Sequence, residues 1–157
     1  MALNMKTRRP QRILAVASGG GHWIQMMRLR PCFEGLRVTY ATVDPTSRCD
    51  IEPAPFYSIP DANRSQKLRL IWLTFRMAWI VLLVRPNVVI TTGAAPGYIA
   101  IRIAKVIGAR AMFLDSVANA EQLSLSAKLS EHHADLLLTQ WQQLAKPGGP
   151  QYRGSVL

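Results

Sequence analysis

The residues best placed by type and spacing to do chemistry are Ser18-Gly19-Gly20-Gly21-His22. Three adjacent glycines allow a sharp backbone turn that presents its N–H groups, and a helix beginning there adds the positive end of its dipole. Such a turn is a cradle for an anion such as a phosphate. A strand-to-helix connection that binds nothing can have the same composition, so the turn needs context. His22 could serve as a general base or as a phosphate partner, and a neighbouring anion would hold it cationic, which favours the second role. A second small-residue run, Thr92-Gly93-Ala94-Ala95-Pro96-Gly97, repeats the pattern. Asp115 is the other candidate base, and Ser116 and Asn119 beside it can hydrogen-bond a sugar or phosphate or cap a helix. Ile24 stands where a dinucleotide fingerprint would carry its third glycine, and neither run has the lysine of a P-loop, so ordinary NAD or ATP use is disfavoured. His132-His133 lacks a third ligand at metal spacing, and no metal site is expected.

Stepping outward, the elements around these residues alternate in type. Arg12 to Ala17 (RILAVA) is a branched, apolar strand, and Trp23 to Leu29 has helical apolar spacing. Arg37 to Val43 is a second strand, stopped by Asp44-Pro45. Thr46 to Asn63, with Pro53, Pro55 and Pro60, reads as a surface loop with one extended piece at Phe56 to Ile59. Asn87 to Thr91 is a strand apolar on both faces, Tyr98 to Ile107 a helix closed by Gly108, and Ala111 to Leu114 another strand. A short helix at Ser124 to Glu131 and a last strand at Asp135 to Thr139, ending at Gln140-Trp141, complete the pattern. Alternating strands and helices predict a doubly wound parallel sheet in one α/β domain over 12–145, with a basic tail at 1–11 and a linker at 146–157. Ligands of such sheets bind beyond the carboxyl ends of the strands. The runs at 18–22, 92–97, 115–119 and 140–141 all fall at such ends and are expected to line one crevice.

The segment Leu68 to Val84 (LRLIWLTFRMAWIVLLV), within a helix placed at 66–85, is almost wholly apolar. It falls short of the roughly 20 residues that cross a bilayer, and Arg69 and Arg76 interrupt it. Arg69, Trp72, Arg76 and Trp79 recur at intervals of 3, 4 and 3, which makes one Arg/Trp ridge on a helix. Trp and Arg together suit the boundary between headgroups and acyl chains, so this ridge is the expected membrane contact. A buried helix with two snorkelling arginines is the alternative. Nineteen Lys and Arg against nine Asp and Glu leave a charge of +10, which favours an anionic partner. The arginines sit among apolar residues with no recognition-helix pattern, so a nucleic-acid module is the weaker reading of that charge. Cys32 and Cys49 have no metal or CxxC spacing, so reduced thiols are expected. The apolar run behind the basic start is too short for a signal-peptide core, and no cleaved signal is expected.

On SGGGHWIQMMRL (18–29), RPNVVITTGAAPG (85–97), LDSVANAEQLSLSAK (114–128) and ADLLLTQW (134–141), the chain resembles the membrane-recruiting subunits of two-component UDP-sugar glycosyltransferases. The resemblance implies a Rossmann-like fold, the N-terminal half of a GT-B glycosyltransferase. It implies a polyprenyl-diphosphate-linked sugar as acceptor, a catalytic donor-binding half on a separate polypeptide, and a place at the inner, cytoplasmic face of the plasma membrane. UDP-sugar would sit mainly on that partner, with no cofactor held by this chain. By motif, Ser18, Gly19, Gly20, Gly21 and His22 would face the acceptor diphosphate, with Gly93, Ala94, Ala95 and Gly97 as the second phosphate-facing loop. Asp115, Ser116, Asn119, Gln140 and Trp141 would border the sugar and the partner cleft. Position 115 is more often Glu in that family, and the shorter Asp weakens a catalytic role. A self-sufficient small sugar-nucleotide transferase is the competing enzyme reading, and tight UDP binding by this chain alone would mark it.

Overall fold

The computed structural model describes residues 10–63 and 65–156. Arg8 and Arg9 of the basic tail, and Arg64 ahead of the apolar helix, lie outside them. Seven strands form one parallel sheet in the order β3-β2-β1-β4-β5-β6-β7. They are β1 (Arg12–Val16), β2 (Arg37–Thr42), β3 (Phe56–Ser58), β4 (Val88–Thr91), β5 (Arg110–Leu114), β6 (Leu136–Thr139) and β7 (Gln151–Tyr152). The order reverses direction between β1 and β4, the neighbours at the centre of the sheet, which pair from Ile13 opposite Val88 to Val16 opposite Thr91. That reversal is the point at which doubly wound sheets open a crevice for ligands.

Helix α1 (Gly21–Leu29) covers one face of the sheet, burying Trp23 and Met26 against Ile13, Ala15 and Tyr40. Helices α2 (Lys67–Val84) and α3 (Ala94–Val106) cover the other, where Leu73, Met77, Ile80 and Val81 meet Leu14, Val16 and Val89. The short α4 (Leu125–Ser130) packs through Ala127 on Phe113, Leu137 and Ile101 of α3. The central strands are thus buried on both faces, as their unbroken apolar runs require.

Three boundaries differ from the sequence reading. Helix α3 begins at Ala94, so most of the second small-residue run is its first turn and not a loop. Gly97 lies in that turn because a methyl there would overlap Thr91 Oγ1, and its absence brings α3 down onto β4. The stretch at 146–157, expected as a linker, adds β7 to the edge of β6. Between β2 and β3 the chain also forms a 3-10 segment at Pro45–Asp50, capped by the Asp44 side chain on the Thr46 N–H.

Helix α2 has two unlike sides. Its inward side carries Leu73, Met77, Ile80 and Val81, all buried. Its outward side carries Leu68, Trp72, Phe75, Trp79 and Leu82, exposed by 84%, 62%, 69%, 49% and 60%. The 4-3-4-3 spacing of these five keeps them on one stripe. Ile71 and Leu83, also exposed, widen it. Arg69 and Arg76 therefore stand along one edge of an apolar stripe, and do not alternate with tryptophan down its middle.

Candidate functional site

The glycine turn after β1 and the turn after β4 meet across the reversal of strand order. His22 Nδ1 lies 2.8 Å from the Thr92 carbonyl, and Thr92 Oγ1 donates back to the His22 carbonyl at 2.7 Å. A carbonyl can only accept, so Nδ1 carries the proton in this contact and Nε2 is the ring nitrogen left for a ligand. The ring lies against Gly93, where an added Cβ would stand 2.9 Å from His22 Cε1. Gly93 adopts φ 126°, open only to glycine at low cost, and Ala94 follows with φ 63°, the left-handed region that L residues avoid. The glycine-only conformation of Gly93 and the left-handed Ala94 thus hold the start of α3 beside the imidazole.

Neither α1 nor α3 receives a side-chain cap, and neither has an acidic residue in its first turn. The first N–H groups of a helix need a partner, and here two helices of 9 and 13 residues leave theirs at the same crevice. Gly20, at φ 62°, makes the turn into α1, while Gly93 N–H is already taken by Thr91 Oγ1 at 3.1 Å. The donors left for a ligand are the early N–H groups of α1 and those of Ala94 and Ala95 in α3, since Pro96 has none and Gly97 is buried within the helix. Two positive helix ends with an imidazole between them can grip an anion with more than one phosphate. Ser18 and Gly19 are half-buried at the approach, and Gly19 is kept small by Val43, whose Cγ2 would lie 3.1 Å from a Cβ there.

Asp115 is placed otherwise than expected. It is 1% exposed, and its carboxylate accepts from Ser116 N–H at 3.0 Å, Asn119 Nδ2 at 3.0 Å and Ser124 N–H at 2.9 Å. A carboxylate enclosed by three donors organises the loop after β5, a structural role where a candidate base was expected. Ser116 and Gln140, expected at an open cleft, are buried as well. Gln25 Nε2 donates to Ser116 Oγ at 3.0 Å. Gln140 Nε2 donates to Gln25 Oε1 at 2.6 Å and to the Asp115 carbonyl at 2.9 Å, and Gln140 Oε1 accepts from Val156 N–H at 2.8 Å. Trp141 Nε1 donates to the Val117 carbonyl at 2.7 Å, which fixes the ring, half-buried, against the same loop. Asn119 is also half-buried, with its amide nitrogen used by Asp115.

These five residues therefore sit at the carboxyl ends of β5 and β6 as a buttress behind α1, with Asn119 and Trp141 nearest the surface. Gln25 ties the buttress to the glycine turn, because it lies on α1 three residues after His22. It was not singled out from sequence. Its signal was a polar side chain at a position of the α1 pattern that faces the sheet, beside Trp23 and Met26.

On the outer side of α2, Arg76 lies over the Trp79 ring at 4.8 Å, and Trp79 meets Tyr57 of β3 edge to face at 6.0 Å. Helix α2 runs antiparallel to the strands, so its first turn, with Leu68 and Arg69, lies at the same end of the sheet as His22. Among the described residues no helix is long and apolar enough to cross a membrane. For α2 the reason is visible in Lys67, Arg69 and Arg76.

The doubly wound parallel sheet is Rossmann-like, and its structural neighbours include GT-B glycosyltransferases. Solved structures agree on the fold. The chain superposes on MurG of Acinetobacter baumannii with a TM-score of 0.74 and 15% identity, over 91% of this chain and 45% of that one. A UDP-N-acetylglucosamine 2-epimerase matches with a TM-score of 0.68 and 11% identity, over 86% and 43%. The chain spans less than half the length of these structures. By sequence, residues 56–156 match the family model described as "Oligosaccharide biosynthesis protein Alg14 like". This chain belongs to that Alg14-like family of oligosaccharide biosynthesis proteins. The mouse protein "UDP-N-acetylglucosamine transferase subunit ALG14" is 25% identical over 166 residues, covering 85% of this chain and 76% of the mouse protein.

Proposed function

We propose that this chain is the acceptor-binding, membrane-recruiting subunit of a heteromeric UDP-sugar glycosyltransferase. It presents a polyprenyl-diphosphate-linked sugar to a catalytic, donor-binding half on a separate polypeptide. The observation that carries the reading is the meeting of two uncapped helix N-termini at His22, which suits a diphosphate. The mouse relative is named as a transferase subunit, which supports the same division of labour. In this reading the α1 and α3 N–H groups hold the diphosphate and His22 Nε2 touches it or the sugar. The buttress built on Asp115 keeps the α1 side of the crevice in place. The outward stripe of α2 rests on lipid at the cytoplasmic face, with Trp72 and Trp79 at the headgroup boundary and Arg69 and Arg76 on anionic phosphates. The acceptor's prenyl tail would then reach the bilayer from the crevice end of that helix.

The test is reconstitution of sugar transfer from UDP-sugar to a polyprenyl-diphosphate sugar on anionic vesicles. Transfer is expected only when this chain and its donor-binding partner are both present. Full turnover by this chain alone would overturn the subunit assignment and favour a self-sufficient transferase.

A further inference from the structure

A second cleft, of about 1000 Å³, lies at the end of the sheet opposite the crevice, under the start of β3. Strand β3 pairs only with Tyr40 to Thr42, so the first half of β2 is left without a neighbour on that side. Arg37 N–H bonds to the Gln11 carbonyl on the β1 side and Tyr40 N–H to the Pro55 carbonyl on the β3 side. Alternation along the strand then turns Val38 N–H and its carbonyl toward the cleft. The pairing of β3 begins at Tyr40 and does not reach Val38 N–H.

The walls combine apolar surface with unmatched positive charge. Phe33, Ile51, Tyr57 and Val84 supply the apolar part, and Arg12, Arg30 and Arg37 stand against the one carboxylate of Glu34. Arg12 sits directly opposite Arg37 in the register of β1 and β2. Arg12 spends its Nε on the Arg85 carbonyl at 2.8 Å, and Arg30 spends one Nη on the Asp50 carbonyl at 2.6 Å, which steadies both side chains and leaves further guanidinium donors. Tyr40 is 3% exposed and lines the cleft, yet its hydroxyl has no hydrogen-bond partner among the described residues. Burial pushes its pKa up against the smaller opposing effect of Arg30, so the phenol stays a neutral donor. An unspent hydroxyl donor at the cleft wall, beside guanidinium groups, is available to a polar ligand.

We infer that this cleft is a second ligand site, for a phosphate ester with an apolar body. The phosphate meets Arg30 and the Tyr40 hydroxyl, with Val38 N–H as a backbone donor and Arg37 adding its charge at the open edge of β2, and the apolar body lies on Phe33 and Ile51. The inference is independent of the acceptor crevice, since no residue is shared between the two. A phospholipid headgroup and a soluble organic phosphate offer the same chemistry, and the probes separate them.

The experiment is calorimetric titration of the full chain with 1-naphthyl phosphate, dihexanoyl phosphatidic acid below its micelle concentration, and inorganic phosphate. At least one ester is expected to bind tenfold or more tightly than inorganic phosphate. Arg37→Glu should weaken that ester at least tenfold and Tyr40→Phe at least threefold, while His22→Ala leaves it unchanged. Tighter binding of the phosphatidic acid identifies a lipid headgroup as the source, and tighter binding of the naphthyl ester a soluble one. Tyr40→Phe keeps the ring and its packing, so a loss there reports the hydroxyl and not unfolding. Absence of binding by both esters, equal binding of inorganic phosphate, or binding that His22→Ala removes would overturn the inference.

Discussion

Replacing Gly93 by alanine tests the geometry of the crevice, because two separate penalties meet at that residue. The backbone at φ 126° is in a region essentially restricted to glycine, which costs an L residue about 1–3 kcal/mol. The new methyl would also stand 2.9 Å from His22 Cε1 and 3.2 Å from Nδ1, so the ring must move. Moving it breaks the 2.8 Å contact with the Thr92 carbonyl, worth about 1 kcal/mol. Gly93→Ala should therefore lower stability by about 2–4 kcal/mol. His22→Ala alone loses the same hydrogen bond, for about 1 kcal/mol plus packing. In the double variant the ring is already gone, so the clash disappears and the hydrogen bond is lost once, leaving the backbone cost. Urea unfolding of the four proteins should then show the double variant about 1 kcal/mol more stable than the sum of the single effects. Additivity within about 0.3 kcal/mol, or a Gly93→Ala variant as stable as the parent, would refute the contact between the ring and the strained turn.

Three further outcomes follow from other parts of the molecule. Asp115→Ala should cost about 3 kcal/mol or more, because it strands three donors that the carboxylate now satisfies, and thermal unfolding would show it. If Asp115→Ala kept full stability yet abolished transfer, the loop-organising role would be wrong and a catalytic one restored. Arg76→Glu reverses a charge on the edge of the α2 stripe. At about 1 kcal/mol per charge near an anionic leaflet it should weaken co-sedimentation with phosphatidylglycerol vesicles about thirtyfold, and unchanged binding would return α2 to a role within the protein. Asp135, hydrogen-bonded to Lys105 at 2.8 Å, has its carboxyl held below the ordinary aspartate range, first by that bond. A lowered folded-state pKa gives stability that is present at neutral pH and lost as pH falls through that depressed value. Asp135→Asn should therefore flatten the acid limb of the stability profile, and an unaltered limb would contradict the assignment.

The sheet was legible in the sequence because its strands are short branched runs buried on both faces, and each ends at a glycine or polar turn. The glycine turn at 18–22 and its partner at 92–93 were legible for the same reason. That they touch was not visible, since His22 and Thr92 lie 70 positions apart and only the pairing of β1 with β4 joins them. The start of α3 was misplaced because Gly93, Pro96 and Gly97 look like a loop. Pro96 is at ease in a first helical turn, and Gly97 is there for contact with Thr91. The chemistry of Asp115, Ser116 and Gln140 and their position at strand ends mark them as site residues. The fold buries all three, and each side chain spends its polar atoms on a neighbour, which sequence pattern does not reveal. The Arg/Trp spacing of α2 was seen, but which of its sides faces the core depends on where the sheet lies, so the apolar stripe of Leu68, Trp72, Phe75, Trp79 and Leu82 emerged only in the fold.

The most direct measurement for an acceptor crevice at His22 is titration of the purified chain, without any partner, with a short-chain polyprenyl-diphosphate sugar and separately with UDP. A diphosphate held between the ends of α1 and α3 predicts saturable one-to-one binding of the acceptor analogue, weakened at least tenfold by His22→Ala, and little binding of UDP. Tight UDP binding with no affinity for the acceptor analogue, or acceptor binding indifferent to His22, would contradict it.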